Sequence, residues 1–226
     1  MSHPILFTPI QIGNLKLANR IVIAPMAQYS AEDGQMSDWH LMHLGQLVSS
    51  GAAALTVEGT AVTPDGRNTY GDVALYSDDC ESAMGRVLRG VRRWSDMPIG
   101  IQFSHASRKA SRQKSWEGGA LIPHGEPNGW RTYGPSPIVF AAGEIPPVAL
   151  DRDRLIAIRN AFAAAARRAS RLGLDFIQVL GAHGYLLHQF LSPQSNRRDD
   201  EYGGLLENRM RFPLEVFEAV RNAFCA

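Results

Sequence analysis

The side chains able to do chemistry gather where short apolar runs stop. Ile21-Val22-Ile23-Ala24 exits into Pro25-Met26-Ala27-Gln28-Tyr29-Ser30, and Ala54-Leu55-Thr56-Val57 exits into Glu58-Gly59-Thr60. Pro98 to Phe103 exits into Ser104-His105-Ala106-Ser107-Arg108-Lys109-Ala110, and Asp175 to Leu180 exits into Gly181-Ala182-His183-Gly184-Tyr185-Leu186. Gln102 offers an amide that donates and accepts at once. Gly59 has no Cβ. Each residue also has a structural reading: Gln102 as any buried amide, Tyr29 and Tyr185 as half-buried aromatics, His183 as a lone histidine after a strand. His40 and His43 stand three apart on a helical stretch, as on the face of a metal site. With His105 or His183 they would suit a metal-dependent hydrolase, but no third ligand converges by spacing, so no metal is expected.

The elements that must position these residues follow from periodicity. Ile10 to Leu17 alternates around Gly13-Asn14 and reads as a β-hairpin. The apolar run at Ile21 suits a strand buried on both faces. A helix is expected from about Asp38 to Ser49, closed by Gly51. A second is expected from Asp78 as N-cap, with Cys80, Met84, Val87, Val91 and Trp94 on one face. A long polar insertion, rich in Gly and Pro, runs from about Ala106 to Leu150, and its basic cluster Arg108, Lys109, Arg112, Lys114 reads as a solvated loop. A third helix from about Asp153 carries Leu155, Ile158, Phe162, Ala165, Ala169 and Leu172 on one face and ends at Gly173 in the C′ position. A last helix presents Met210, Leu214, Phe217 and Val220, with Pro213 near its start or kinking it.

Strand, loop and helix repeated four times imply parallel β/α units. An open doubly wound sheet is the alternative, but the first turn lacks G-x-G-x-x-G and no G-x-x-x-x-G-K-[ST] occurs. The expected class is therefore a parallel (β/α)8 TIM-type barrel, truncated to about its first four units, with an N-terminal hairpin. Such a barrel takes roughly 250 residues or more, and this chain spends 226 on four units. Residues 1–226 are read as the N-terminal part of one domain, which leaves two open sheet edges and a tendency to associate.

Composition narrows the partners. Hydrophobic residues make up 45% and charged residues 20%, and the net charge is +1. Neither a disordered chain nor a nucleic-acid binder is expected on that balance. No apolar stretch approaches the roughly 18 residues of a membrane span, and no signal peptide is apparent. The two cysteines, Cys80 and Cys225, are read as free thiols in a reducing, cytoplasmic setting.

In order and spacing, the strand exits resemble the old yellow enzyme family, in its thermophilic-like or xenobiotic-reductase branch. Asp38-Trp39-His40, Val57 to Val62, His105 to Ala110, the run Ala182 to Gly204 and Glu207-Asn208-Arg209 carry the likeness, from about Pro4 to Ala223. The resemblance implies FMN at the barrel mouth, NAD(P)H as hydride donor, and an enone-like activated alkene as small-molecule substrate. It implies that Ala24, Pro25, Met26, Ala27, Gly59 and Gln102 bind the cofactor and that Tyr29 and His183 face the substrate. His183 would donate a hydrogen bond to the substrate carbonyl, and Tyr185 would supply the proton. His40 and His43 would have packing roles.

Three positions depart from the family pattern. Ala27 stands where this branch carries a cysteine that tunes the flavin, so the potential should shift. Leu180 and His183 stand where two polar side chains normally sit, so one donor is missing. The later strands, which in the family supply an arginine near the flavin and the phosphate loops, are not in this chain. A homo-oligomer or a complementing C-terminal half is therefore expected as a partner. The alternative reading is a non-catalytic fragment that needs a second chain to hold flavin.

Overall fold

A computed structural model of the chain describes residues 4–225. In chain order the strands and helices are β1 (Ile10–Ile12), β2 (Leu15–Leu17), β3 (Val22–Ile23), α1 (Asp38–Leu47), β4 (Ala54–Ala61), α2 (Asp78–Arg92) and β5 (Ile99–Ser104). They continue as β6 (Tyr133–Gly134), β7 (Val148–Ala149), α3 (Arg152–Arg171), β8 (Phe176–Val179), α4 (Leu186–Leu191) and α5 (Leu206–Ala223). Strands β3, β4, β5 and β8 lie side by side in that order, all parallel, each joined to the next by a helical crossover. This is the arc of a TIM-type barrel that the alternating pattern predicts.

Two faces of this sheet do different work. Leu55, Val57, Ile99, Ile101 and Phe103 turn outward and are buried against Met84, Val87 and Val91 of α2 and Leu155, Ile158 and Phe162 of α3. Burying each of these side chains is worth about 1.5–3 kcal/mol. The alternate residues face the barrel interior, because strand side chains switch sides at every step. At the N-terminal end of the strands the interior is closed by hydrocarbon. Hairpin residue Leu17 packs on Ala53 and Ala54, with Phe176 against the same cluster. Gly100 and Phe176 are register partners, and a Cβ on Gly100 would lie 2.2 Å from the Phe176 ring. Only glycine fits there.

Helix ends follow local chemistry. Gly173 takes a φ of 67° after α3, with its own N–H bonded to Ser170 and that of Leu174 to Ala169, the paired closure expected of a C′ glycine. Ser77, rather than Asp78, caps α2: its Oγ accepts the Cys80 N–H at 3.2 Å, and Asp78 begins the helix. A hydroxyl in extended backbone is as good a cap as a carboxylate, and it stands one residue earlier.

The structure departs from the sequence pattern in several other places. β3 is only two residues long and lies at a sheet edge, with Val22 47% exposed, so it is not buried on both faces. Trp94 falls beyond the end of α2 and is 83% exposed. α5 buries Phe212, Val216 and Val220, leaving Leu214 and Phe217 outside; both stripes have helical spacing, and the buried one is chosen by Phe190 and Tyr202, whose rings pack around Phe212. Pro213 lies inside α5. The long insertion carries β6 and β7, paired parallel, and the segment after β8 contains the short helix α4.

Because Gly100 and Phe176 fill one volume, Gly100→Ala should cost about 1–3 kcal/mol of unfolding free energy by overpacking. In a urea double-mutant cycle with Phe176→Leu the two losses should be less than additive; simple additivity would separate the two sites.

Candidate active site at the C-terminal ends of the strands

The loop leaving β3 is held from below by a buried carboxylate. Glu58 Oε2 accepts the Gln28 backbone N–H at 2.7 Å, and Glu58 Oε1 lies 3.3 Å from His40 Nε2. His40 Nδ1 accepts the Ser37 N–H at 3.0 Å, so the ring proton sits on Nε2, facing Glu58. His40 and Glu58 are both buried, and among the described residues no group of three or more potential metal ligands converges. His40 therefore ties α1 to β4 and to the loop. The loop itself lies open, with Ala24, Met26 and Ala27 exposed, and Tyr29 takes a left-handed φ of 50° beside Gly71. A Cβ on Gly71 would come within 2.4 Å of the Tyr29 carbonyl and 2.8 Å of Lys114 Cε.

Next along the mouth is a row of polar groups. The β4–β5 register shifts between Val57 and Gly59, which places Gly59 opposite Gln102, and Gln102 pairs in register with Gln178. Gln102 Nε2 donates to Gln178 Oε1 at 2.8 Å, and among the described residues neither amide has another protein partner. Gln102 therefore keeps an acceptor, and Gln178 a donor, for something else. A lone amide in the otherwise apolar run Phe176 to Leu180 was the available signal for Gln178. Leu180, two residues on, is buried, and its N–H bonds the Phe103 carbonyl.

The turn after β8 is fastened on three sides. His183 and Gly184 both have left-handed φ, 59° and 70°. Lys109 Nζ donates to the His183 carbonyl at 3.0 Å, Gln189 Nε2 donates to the Gly184 carbonyl at 2.7 Å, and His188 Nδ1 accepts the Gly184 N–H at 2.7 Å. Buried Gln189 is anchored in turn by Ser107 Oγ at 2.8 Å. Exposed His183 and half-buried Tyr185 are thereby fixed on the rim. Burial raises the Tyr185 phenol well above its ordinary pKa, and the nearby Asp72 and Tyr29 add to the effect. Asp72 is itself buried and accepts from Asn68 N, Thr69 N and Thr69 Oγ1; desolvation outweighs those bonds and raises its pKa to about 6.

The sequence-predicted residues Ala24 to Ala27, Tyr29, Gly59, Gln102, His183 and Tyr185 thus lie at the same end of four adjacent strands. A matching family model, described as NADH:flavin oxidoreductase / NADH oxidase, spans residues 5–226. The chain belongs to this family. It is 45% identical over 218 residues to an NADH:flavin oxidoreductase of Gibberella zeae, covering 95% of this chain and 52% of that protein. It is 39% identical to an NADPH dehydrogenase of Clostridium acetobutylicum, covering 97% of this chain and 60% of the relative. Morphinone reductase superposes with a TM-score of 0.85 at 31% identity, over 99% of this chain and 60% of that structure. Old yellow enzyme from Pichia sp. AKU4542 gives 0.84 at 28%, over 97% and 56%. The chain spans little more than half the length of these relatives.

Family-specific residues here are not all site residues. Arg198, in the run that makes the resemblance most specific, donates to the carbonyls of Pro135 at 3.1 Å and Leu150 at 2.6 Å and pairs with Asp200, whose carboxyl it holds below the usual range. Asn196 Nδ2 lies 2.8 Å from both the Phe190 and Tyr202 carbonyls. The Arg198 bonds lash the insertion to the α4–α5 connection, and the Asn196 bonds brace that connection against α4. The basic cluster is equally built in, not a solvated loop: Arg112 pairs with Glu144 at 2.6 Å, and Arg108 reaches the Ile138 and Val139 carbonyls.

Two measurements check this account. Arg198→Ala should destabilise by about 3 kcal/mol, since it strands two carbonyls, and Arg198→Lys should not restore it. The raised Asp72 pKa means that its proton binds more tightly to the folded chain. The stabilisation is full below pH 4 and is lost as pH rises through about 6. The pH dependence of unfolding in Asp72→Asn should differ from wild type by about 3 kcal/mol across that window; parallel curves would contradict the assignment.

Proposed function

We propose that this chain forms the N-terminal half of an FMN site in an NAD(P)H-dependent reductase of activated C=C bonds. The observation that carries the reading is the Gly59–Gln102–Gln178 row, with open amide groups, under a rim holding Tyr29, His183 and Tyr185. That row fits a flat heterocycle with a polar edge: glycine allows close approach, and the paired amides match alternating acceptors and donors. When bound, the flavin supplies the two-electron redox chemistry between NAD(P)H and an enone-like substrate. Ala24, Pro25, Met26 and Ala27 would line the bound group, and Gly59, Gln102 and Gln178 would hold its polar edge.

The remaining roles belong to this chain's side chains. His183 donates a hydrogen bond to the substrate carbonyl, and the bond strengthens as negative charge develops on that oxygen. Tyr185 donates the proton to carbon, its phenol being the protonated form at neutral pH. Tyr29 faces the substrate from the opposite loop. Leu180 offers no second donor, so activity on simple cyclic enones is low. The free cysteines, Cys80 and Cys225, fit a reducing cytoplasm.

A second reading rests on the sheet edges. β3 and β8 have no outer partner among the described residues, and α5 leaves Leu206, Leu214 and Phe217 exposed. Flavin would then be held only when further strands, from a C-terminal half or a second copy, pair there.

Titrating the purified polypeptide with FMN separates the two readings. The first expects a perturbed flavin spectrum, with affinity falling about tenfold in Gln102→Leu. The second expects binding only after a C-terminal half is supplied. No binding in either format would overturn both. In flavin-loaded protein, Leu180→His should raise turnover of 2-cyclohexen-1-one by about 10²-fold or more; an unchanged rate would count against the missing-donor argument.

A further inference from the structure

The mouth carries a cation that the proposed chemistry does not use. Lys109 Nζ lies 5.0 Å from the Phe140 ring and 5.4 Å from the Tyr185 ring, between the insertion and the proton-donating tyrosine. Its stem crosses Gly184, where a Cβ would meet Lys109 Cδ at 3.7 Å, and its ammonium bonds the His183 carbonyl at 3.0 Å. One N–H of three is thereby spent. Two rings and one carbonyl fix a flexible side chain in place.

Neighbouring cations are already committed. Arg112 is neutralised by Glu144, and Arg108 is directed at two carbonyls. Lys114, over the Tyr70 and Trp116 rings, shares its turn with Glu117. Among the described residues, no carboxylate is in ion-pair contact with Lys109. A half-buried, unpaired ammonium costs desolvation that a bound anion would offset. Burial, together with Arg112 and Arg108, correspondingly lowers its pKa.

We infer that Lys109 is a specificity-determining residue that selects substrates bearing a carboxylate beside the electron-poor alkene. The inference rests on the ene-reductase reading, because the anion is placed by where His183 and Tyr185 hold the substrate. Leu180 sharpens the selection. With one carbonyl donor absent, a neutral enone has a single hydrogen bond on this rim, whereas a carboxylated one adds an ionic contact.

The test compares 2-cyclohexen-1-one with 3-oxocyclohex-1-ene-1-carboxylate by calorimetric titration of the 226-residue polypeptide, with FMN and without. Wild type should prefer the carboxylate about tenfold at low salt, and the preference should shrink as ionic strength rises. Lys109→Met should abolish the preference, and Lys109→Arg should restore most of it. A preference unaltered by Lys109→Met, or no preference in wild type, overturns the anion site whether or not FMN binds. Lys109-dependent carboxylate binding without any FMN binding, even after a C-terminal half is supplied, upholds the anion site and sinks the ene-reductase reading alone.

Discussion

A carboxylate buried beneath a loop is costly unless every oxygen is answered, and Glu58 is placed so that its two oxygens meet different elements. One accepts the Gln28 N–H of the β3 exit loop, and the other faces His40 on α1. Leaving a buried acceptor without its hydrogen-bond partner costs about 1–3 kcal/mol, and more where the group is charged. Glu58 stands one residue before Gly59, inside the register shift that brings Gly59 opposite Gln102. The same residue thus fixes the height of the first loop and the approach surface on the second strand. Tyr29 and the alanine-rich loop inherit their positions from this bridge.

The opposite rim is built by another device. Here the constraint is backbone: His183 and Gly184 are both left-handed, a conformation unfavourable for a non-glycine residue. It is held by side chains from two directions, Lys109 from the insertion and Gln189 from α4. The insertion is in turn lashed down by Arg198 and by the Arg112–Glu144 pair. Ties at that distance from the mouth decide whether the turn can present an imidazole and a phenol.

Much of this was legible in the sequence where a pattern has a single physical solution. Alternating β/α units, the Gly173 closure of α3 and the strand exits carrying Gln102, His183 and Tyr185 belong to that class. Patterns with two solutions were read the wrong way. Of the expected stripe Met210, Leu214, Phe217 and Val220, only Val220 is on the buried one, Phe212, Val216 and Val220, around which the Phe190 and Tyr202 rings pack. Arg108, Lys109 and Arg112 looked like a solvated run because their partners, Ile138, Val139, Phe140, Glu144 and His183, lie dozens of residues away. Gln178 was hidden for a similar reason, since a polar residue in an apolar strand acquires meaning only through register with Gln102.

Leu180 and Lys109 are best understood together. Leu180 is buried two positions beyond Gln178, so it brings hydrocarbon to the same strand end that carries the amides. Hydrocarbon at that point removes a hydrogen-bond donor and also lowers the local dielectric response. A fixed charge nearby then acts over a longer distance than it would beside water. Lys109, on the loop after β5, is pinned by two rings and a carbonyl, without a carboxylate in ion-pair contact among the described residues. On the reading proposed above, a leucine at this strand end and a lysine on the neighbouring loop shift the rim from short-range hydrogen bonding toward longer-range electrostatics.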